Sequence, residues 1–165
     1  MASREGHPLK VARHGSRKVR LRTDQKAFRF RLAKARIAHM ATIGAGGFPH
    51  IVPVCFVYDG SAFYTPLDLK PKRVPPQNLA RVRNIMRDSR VSLIVDEYIE
   101  NWKALWYILV RGNAFLLQEG RERADALRQL REKYPQYAAC HLLPKGATLI
   151  RIAPTSFIAW GRPGP

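Results

Sequence analysis

The feature that most constrains the fold of this chain is a series of six short, strand-forming runs separated by turn signals. The runs are His39–Ile43, His50–Tyr58, Ser61–Thr65, Arg90–Asp96, Leu105–Gln118 and Thr148–Trp160. The segments 44–47 and Asp59-Gly60 have tight-turn sequences, so the first three runs are expected to form an antiparallel meander. Six strands at this spacing predict a small closed or split β-barrel.

Three helices are predicted around these strands. The first begins at a cap on Thr23 or Asp24 and ends near Ala38, the second spans Pro76–Arg87, and the third spans Gly120–Lys133. Apolar residues recur in each at helical spacing, which predicts one buried face per helix. The residues expected on these faces are Phe28, Leu32 and Ala35 in the first helix, Leu79, Val82 and Met86 in the second, and Ala124, Leu127, Leu130 and Tyr134 in the third.

Single residues refine the prediction for three of the strands. Pro53 cannot donate a backbone hydrogen bond, so the second strand should be bulged there or lie at an edge. The run Arg90–Asp96 is apolar over most of its length, which indicates a central strand. Gly112 predicts a kink in the strand Leu105–Gln118, which is expected to be the longest.

Length and charge suggest one domain with a basic extension. The chain has 165 residues and a formal charge of +17. Residues 1–22 carry seven cations, one acid and no apolar period, so we expect a disordered basic arm before a single domain at 23–165. No apolar run is long enough for a membrane span, and the start is too charged for a secretory signal. Cys55 and Cys140 lack metal or redox spacing, which favours a cytoplasmic location.

A second concentration of cations follows the third strand. Lys70, Lys72 and Arg73 lie among prolines that stiffen the backbone, just before the helix Pro76–Arg87. Cations at a strand end beside a helix N-terminus form a phosphate cradle. The competing interpretation is a solvated basic loop.

Other site patterns are weak. The histidines are scattered and HExxH is absent, so no metal site is predicted, and no nucleophile motif is present. Asp96, Glu97 and Glu100 are interpreted as a solvated loop in preference to an acid/base cluster. Trp102 and Trp106 are core or interface aromatics, or the wall of a site for a planar ligand.

The order of the motifs resembles a known superfamily. The motifs are Ala41-Thr-Ile, Gly47-Phe-Pro-His-Ile-Val-Pro-Val54, Phe63-Tyr-Thr65, Asp68-Leu-Lys-Pro-Lys-Arg73, Leu79-x-Arg-x-Arg-Asn-Ile85, and Arg90-Val-Ser-Leu-Ile-Val-Asp96 with Tyr98, Trp102, Leu105-Trp106 and Gly112-x-Ala114. Together they resemble the split barrel of the pyridoxamine 5′-phosphate oxidase superfamily, in its branch of probable F420-dependent oxidoreductases. The resemblance covers residues 25–160.

The resemblance implies a mainly β (α+β) fold: a six-stranded antiparallel split β-barrel with Greek-key topology and flanking helices. It also implies a homodimer with two flavin or deazaflavin sites at the subunit interface. Carried over by position, the cofactor ring lies along Val52, Pro53 and Val54, the ribityl chain is lined by Tyr64 and Thr65, and the phosphate meets Lys70, Lys72 and Arg73. Trp102 and Trp106 are expected to close the site from the same or the partner subunit.

The same resemblance implies hydride transfer between F420, or alternatively FMN, and a small planar substrate. The oxidase's C-terminal Arg-Leu motif for its pyridoxal substrate has no counterpart at 158–162, so oxidation of pyridoxamine phosphate is not expected. An empty barrel remains an alternative, since some superfamily members bind cofactor weakly. So does a non-catalytic module that binds nucleic acid or another polyanion through Arg81, Arg83, Arg87 and the arm.

Overall fold

A computed structural model describes residues 26–71 and 73–161, so the basic arm 1–22 and Lys72 lie outside the described residues. The described residues form seven strands: β1 (Ala38–Ile43), β2 (Pro49–Val54), β3 (Val57–Tyr58), β4 (Phe63–Pro66), β5 (Arg90–Glu97), β6 (Trp106–Leu117) and β7 (Leu149–Gly161). The helices are α1 (Lys26–Lys34), α2 (Ala80–Arg87), α3 (Arg121–Lys133) and α4 (Gln136–Ala139). Two 3-10 turns span Pro76–Asn78 and Trp102–Ala104.

The strands form one antiparallel sheet in the order β2-β1-β5-β6-β7-β4-β3. Its two edge strands, β2 and β3, are consecutive in the chain, so the sheet curls until its ends are joined through Cys55 and Phe56. This is a split barrel, and β5 lies in its interior as predicted. The strand count is seven, not six, because the predicted strand His50–Tyr58 breaks at these two residues and changes partner from β1 to β4.

A distant tyrosine stabilises the break between β2 and β3. The Tyr134 hydroxyl accepts a hydrogen bond from the Phe56 N–H at 3.0 Å and lies 2.9 Å from the carbonyl oxygens of Phe56 and Arg36. Burial raises the pKa of Tyr134 to about 12, so its hydroxyl keeps the proton it donates. Backbone groups that leave a sheet need such partners when they are buried, and Tyr134 provides them for Phe56.

Several local predictions for the strands are confirmed. Pro53 lies on the edge strand β2, and Asp59-Gly60 forms the turn between β3 and β4, with Gly60 at φ 103°. The β6–β7 pairing shifts by one residue between Arg111 and Gly112, so an irregularity occurs at the predicted position, but the unpaired extra residue is Thr155 on β7. The longest strand, however, is β7 with 13 residues, and β6 has 12.

Two helical faces differ from prediction, and α1 ends at Lys34 rather than near Ala38. In α2, Ile85 is buried whereas Met86 is 71% exposed. Leu79 is extended and lies outside α2, so it does not share the helical face assumed in the prediction. Within α2 the buried face contains Val82, Asn84 and Ile85, which leaves Met86 on the solvent side. In α3, Ala126 is buried with Leu127 and Leu130, and Ala124 is exposed.

The core has two parts on either side of the sheet. The barrel interior is filled by alternate residues of the strands together with α1 and α2, including Leu32, Met40 and Ile108. The second cluster packs α3 and α4 against β3, β4 and β7, with Leu130 and Tyr137 at its centre. No helix in the described part of the chain is long and apolar enough to cross a membrane.

Candidate functional site

The edge strand β2 carries three residues predicted to lie along a cofactor ring. Val54 is buried in the barrel, and Val52 is partly buried against the same core. Pro53, between them, points to the outer face and is exposed. It is directly opposite His39 in the β1–β2 pairing, so these two side chains lie next to each other on the outer face of the sheet.

A cleft of about 650 Å³ opens beside Pro53, between α1 and the segment that follows β5. Its volume falls in the range of small-molecule sites. The other apolar residues that line it are Phe30, Ala35, Ile37, Ile99, Ala104 and Trp106. The charged and titratable residues that line it are Arg31, Lys34, Arg36, His39, Asp96 and Glu97. The cleft can therefore hold a flat apolar ring with polar groups at its border.

Trp106 forms a flat, fixed wall of this cleft. Its indole N–H donates to Glu97 Oε2 at 3.1 Å, and the Arg31 guanidinium lies 4.6 Å from its ring centroid. Burial lowers the pKa of Arg31, while the charge of Glu97 acts in the opposite direction. Trp102, which was predicted to share this role, is 69% exposed on a 3-10 turn and is not among the residues that line the cleft.

An imidazole and a carboxylate meet at the border of the cleft. His39 Nδ1 lies 3.9 Å from Asp96 Oδ1, and the two side chains are 49% and 48% exposed. The sequence did not reveal this pair, since β1 and β5 are distant in the chain. The strand register would have placed the two residues together. His39 pairs with Ile94, and Asp96 lies two residues farther along β5 on the same face.

The basic loop after β4 is held by buried partners. Lys70 Nζ lies 3.1 Å from Asp68 Oδ2, which also accepts a hydrogen bond from the Tyr137 hydroxyl at 3.1 Å. Burial opposes the charge of Lys70, but the hydrogen bond and charge of Asp68 outweigh it and raise the pKa of Lys70. Arg73 is exposed farther along the loop, and Lys72, the third predicted phosphate ligand, lies outside the described residues.

Helix α2 adds one more cation, Arg81, beside this loop. Arg81 is partly buried, and burial lowers its pKa, with the charge of Asp68 acting in the opposite direction. The guanidinium therefore lies close enough to Asp68 to interact with it. The Lys70–Arg73 loop and the start of α2 together form one basic region.

The end of β2 connects the cleft to the basic region. Cys55 is a free thiol two residues beyond Pro53, and its Sγ lies 3.8 Å from Lys70 Nζ. Two residues of extended chain span about 7 Å. An elongated ligand with its ring beside Pro53 can therefore place an anionic group at Lys70. The donor set and the apolar cleft fit a flavin or deazaflavin, which combines a tricyclic ring with a phosphate.

Tyr64 and Thr65 lie away from this path in the single chain. Both are buried, and the Tyr64 hydroxyl contacts Asp59 Oδ2 at 2.8 Å and Glu122 Oε1 at 2.6 Å, on the side of α3. Burial, followed by these hydrogen bonds, raises the pKa of Tyr64. The predicted role of the two residues beside a ribityl chain stays a prediction.

Comparison with known proteins agrees with this architecture. The chain is 29% identical over 129 residues to a 5a,11a-dehydrotetracycline/5a,11a-dehydrooxytetracycline reductase of Streptomyces rimosus, a match that covers 76% of this chain and 74% of the relative. A conserved hypothetical protein from Mycobacterium tuberculosis has the same fold, with a TM-score of 0.65, 20% identity, and coverage of 81% of this chain and 82% of that one.

A solved F420 reductase also shares the fold, with a TM-score of 0.55 and 19% identity over 76% of this chain and 91% of the reductase. The profile of the pyridoxamine 5′-phosphate oxidase family matches residues 24–161, which include every described strand. The chain belongs to the pyridoxamine 5′-phosphate oxidase family.

Proposed function

We propose that this protein is an oxidoreductase that binds F420, or alternatively FMN, and transfers a hydride between the cofactor and a small planar substrate. The proposal is carried by the end of β2, where Pro53 lines an apolar cleft with a fixed indole wall and Cys55, two residues later, places its Sγ 3.8 Å from Lys70 Nζ. The reductase name of the Streptomyces relative and the fold shared with an F420 reductase support it.

Each part of the site has a physical role in this proposal. The backbone of residues 52–54 and the Trp106 indole orient the ring, and the apolar walls exclude water. Lys70 and Arg73 hold the phosphate by charge-assisted hydrogen bonds, together with Lys72 as predicted from the sequence. The cofactor itself supplies the hydride chemistry, and the protein supplies binding, orientation and electrostatics.

F420 is the leading candidate because of its charge. It carries a polyglutamate tail in addition to the phosphate, and the chain has a formal charge of +17. In the described part of the basic region, Arg83 and Arg87 donate hydrogen bonds to the backbone carbonyl oxygens of Asn78 and Ile43. Carbonyl partners leave the positive charge of a guanidinium available to attract a polyanionic tail.

Hydride transfer can be tested with a generic conjugated ketone. Purified protein is mixed anaerobically with reduced F420 or reduced FMN and with 2-cyclohexen-1-one, and cofactor oxidation and cyclohexanone formation are measured. We expect enone-dependent oxidation of one of the two cofactors, with equal amounts of both products. Oxidation of neither, together with salt-sensitive binding of a DNA oligomer, would favour the non-catalytic polyanion-binding module instead.

We further propose a homodimer, because the outer face of the sheet is apolar. Ile94, Leu109 and Ile158 are paired neighbours on β5, β6 and β7, and they continue the row of Pro53 and His39. All three side chains are partly exposed, and a contiguous apolar surface of this kind is typical of a subunit interface. A partner on this face would also border the cleft.

The dimer is tested by light scattering at micromolar concentration. We expect wild type to be dimeric and Leu109→Arg to be monomeric, since a charge at the centre of the interface is left desolvated. Met86→Arg, a matched change at an exposed site on α2, should remain dimeric. A wild-type protein that is strictly monomeric contradicts this assignment.

A further inference from the structure

The cleft contains a side chain that can supply the proton that reduction of a conjugated carbonyl compound requires. We infer that His39 is this proton donor, and that Asp96 positions it. This role rests on the proposed function, and it assigns an acid to a reaction for which the sequence shows none. Histidine is the side chain suited to give and take a proton near neutral pH.

The position of His39 follows from the strand register. It lies between Pro53 on β2 and Ile94 on β5, in one row across the outer face of the sheet. Side chains directly opposite on antiparallel strands have Cβ atoms about 5 Å apart. A ring lying along residues 52–54 on this face is therefore adjacent to the imidazole, and so is a substrate stacked on that ring.

The Asp96 carboxylate lies on one side of the His39 imidazole. His39 Nδ1 lies 3.9 Å from Asp96 Oδ1, so Nε2 is the ring nitrogen that we assign to proton transfer to the substrate. Both side chains are about half exposed, so the imidazole can regain its proton from water.

The other charged groups that line the cleft have partners of their own. Glu97 accepts the indole N–H of Trp106, on which Arg31 stacks. Arg36 lies over the ring of Tyr134, and Lys34 over the ring of Phe30. These groups contribute cationic charge on the α1 side and anionic charge at Glu97.

Reduction of the carbon–carbon double bond of a conjugated ketone requires one hydride and one proton. A reduced cofactor bound along residues 52–54 would supply a hydride, with its two electrons, to the β-carbon of an α,β-unsaturated ketone, where a C–H bond would form and leave the cofactor oxidised. The carbon–carbon π pair moves toward the carbonyl oxygen and gives an enolate. The Nε2–H bond of His39 then breaks, its proton bonds to the α-carbon, and the neutral imidazole is reprotonated by water.

The test compares three variants in the assay with 2-cyclohexen-1-one. His39→Ala should lower kcat about a hundredfold, in the range of general acid catalysis, with cofactor Kd and Tm unchanged. Added imidazole should restore part of the lost activity. No such rescue is expected if the role of His39 is purely structural. Asp96→Asn should cause a smaller loss, about tenfold. His141→Ala, at an exposed position outside the cleft, is the control.

A second readout is independent of turnover. Diethyl pyrocarbonate modifies accessible neutral imidazoles, and mass spectrometry follows each histidine peptide separately. We expect saturating cofactor to slow modification of His39 several-fold and to leave His141 unchanged. Equal rates of His39 modification with and without cofactor would show that the ring does not lie beside it, and would overturn the assignment.

The kinetic outcomes separate two failures. If wild type reduces the enone and His39→Ala does so equally well, or loses activity only through weaker cofactor binding, the assignment of His39 is wrong and the proposed function stands. If wild type reduces the enone with neither cofactor, the proposed function fails and the role of His39 fails with it.

Discussion

Replacing Gly112 with alanine is expected to lower the free energy of unfolding by about 3 kcal/mol, at the upper end of the cost of overpacking. Gly112 lies at the register shift between β6 and β7, and an added Cβ would lie 2.3 Å from the carbonyl oxygen of Ala153 and 3.0 Å from its carbonyl carbon. Both atoms are backbone, so no side-chain rotation can relieve the contact. The loss is measured by urea denaturation of wild type and variant.

The matched control for this substitution is Gly146→Ala. An added Cβ at Gly146 meets no atom within 4 Å, so alanine there should leave stability unchanged or raise it slightly by restricting the unfolded chain. Equal stability of the two variants would show that β7 can move away from β6 at low cost. The β6–β7 pairing would then be too weak to hold Ile158 in register with the row of side chains that starts at His39 on the outer face of the sheet.

Removing the side chain of Arg73 is expected to raise the cofactor Kd ten- to a hundredfold. One charge-assisted hydrogen bond to phosphate contributes about 1.5–3 kcal/mol, which corresponds to this range. Arg73 is exposed on the loop, so Arg73→Ala should leave folding intact. Lys70→Ala should weaken binding similarly, but Lys70 also pairs with Asp68 and lies over the Tyr137 ring, so a loss of stability is expected as well.

The control for general loss of charge is Arg128→Ala. Arg128 lies on α3, paired with Asp125 and Glu132 on its own helix. Its removal lowers the net charge by the same amount and should change the cofactor Kd only slightly. Equal, small effects of Arg73→Ala and Arg128→Ala would mean that only the overall field attracts the cofactor, and the loop would not be a phosphate site.

Local chemistry explains which parts of the fold could be predicted from the sequence. The Asp59-Gly60 turn, the edge position of Pro53 and the shift at Gly112 each depend on backbone properties of the residues themselves. The central position of β5 follows from its apolar run. The Lys70–Arg73 loop was proposed from its cations, its prolines and the helix that follows, and its role as a phosphate site stays a prediction.

The features that could not be predicted depend on contacts between residues far apart in the chain, and no local sequence pattern contains these contacts. The break after β2 requires the hydroxyl of Tyr134 to satisfy the backbone of Phe56, 78 residues earlier. The face of α2 that is buried includes Asn84, whose side chain donates a hydrogen bond to Thr42 on β1, and this leaves Met86 exposed. The pair His39–Asp96 exists because β1 lies beside β5, and this neighbour relation is set by the barrel as a whole.

The most direct test of the central claim is a binding titration. Purified protein is titrated with F420 and with FMN, and the visible absorbance of each cofactor is followed to saturation. The structure leads us to expect saturable binding of one cofactor per chain, F420 being favoured, with an affinity that falls in Arg73→Ala and not in Arg128→Ala. Absence of saturable binding by both cofactors would contradict the assignment of the cleft and the basic loop as a flavin or deazaflavin site.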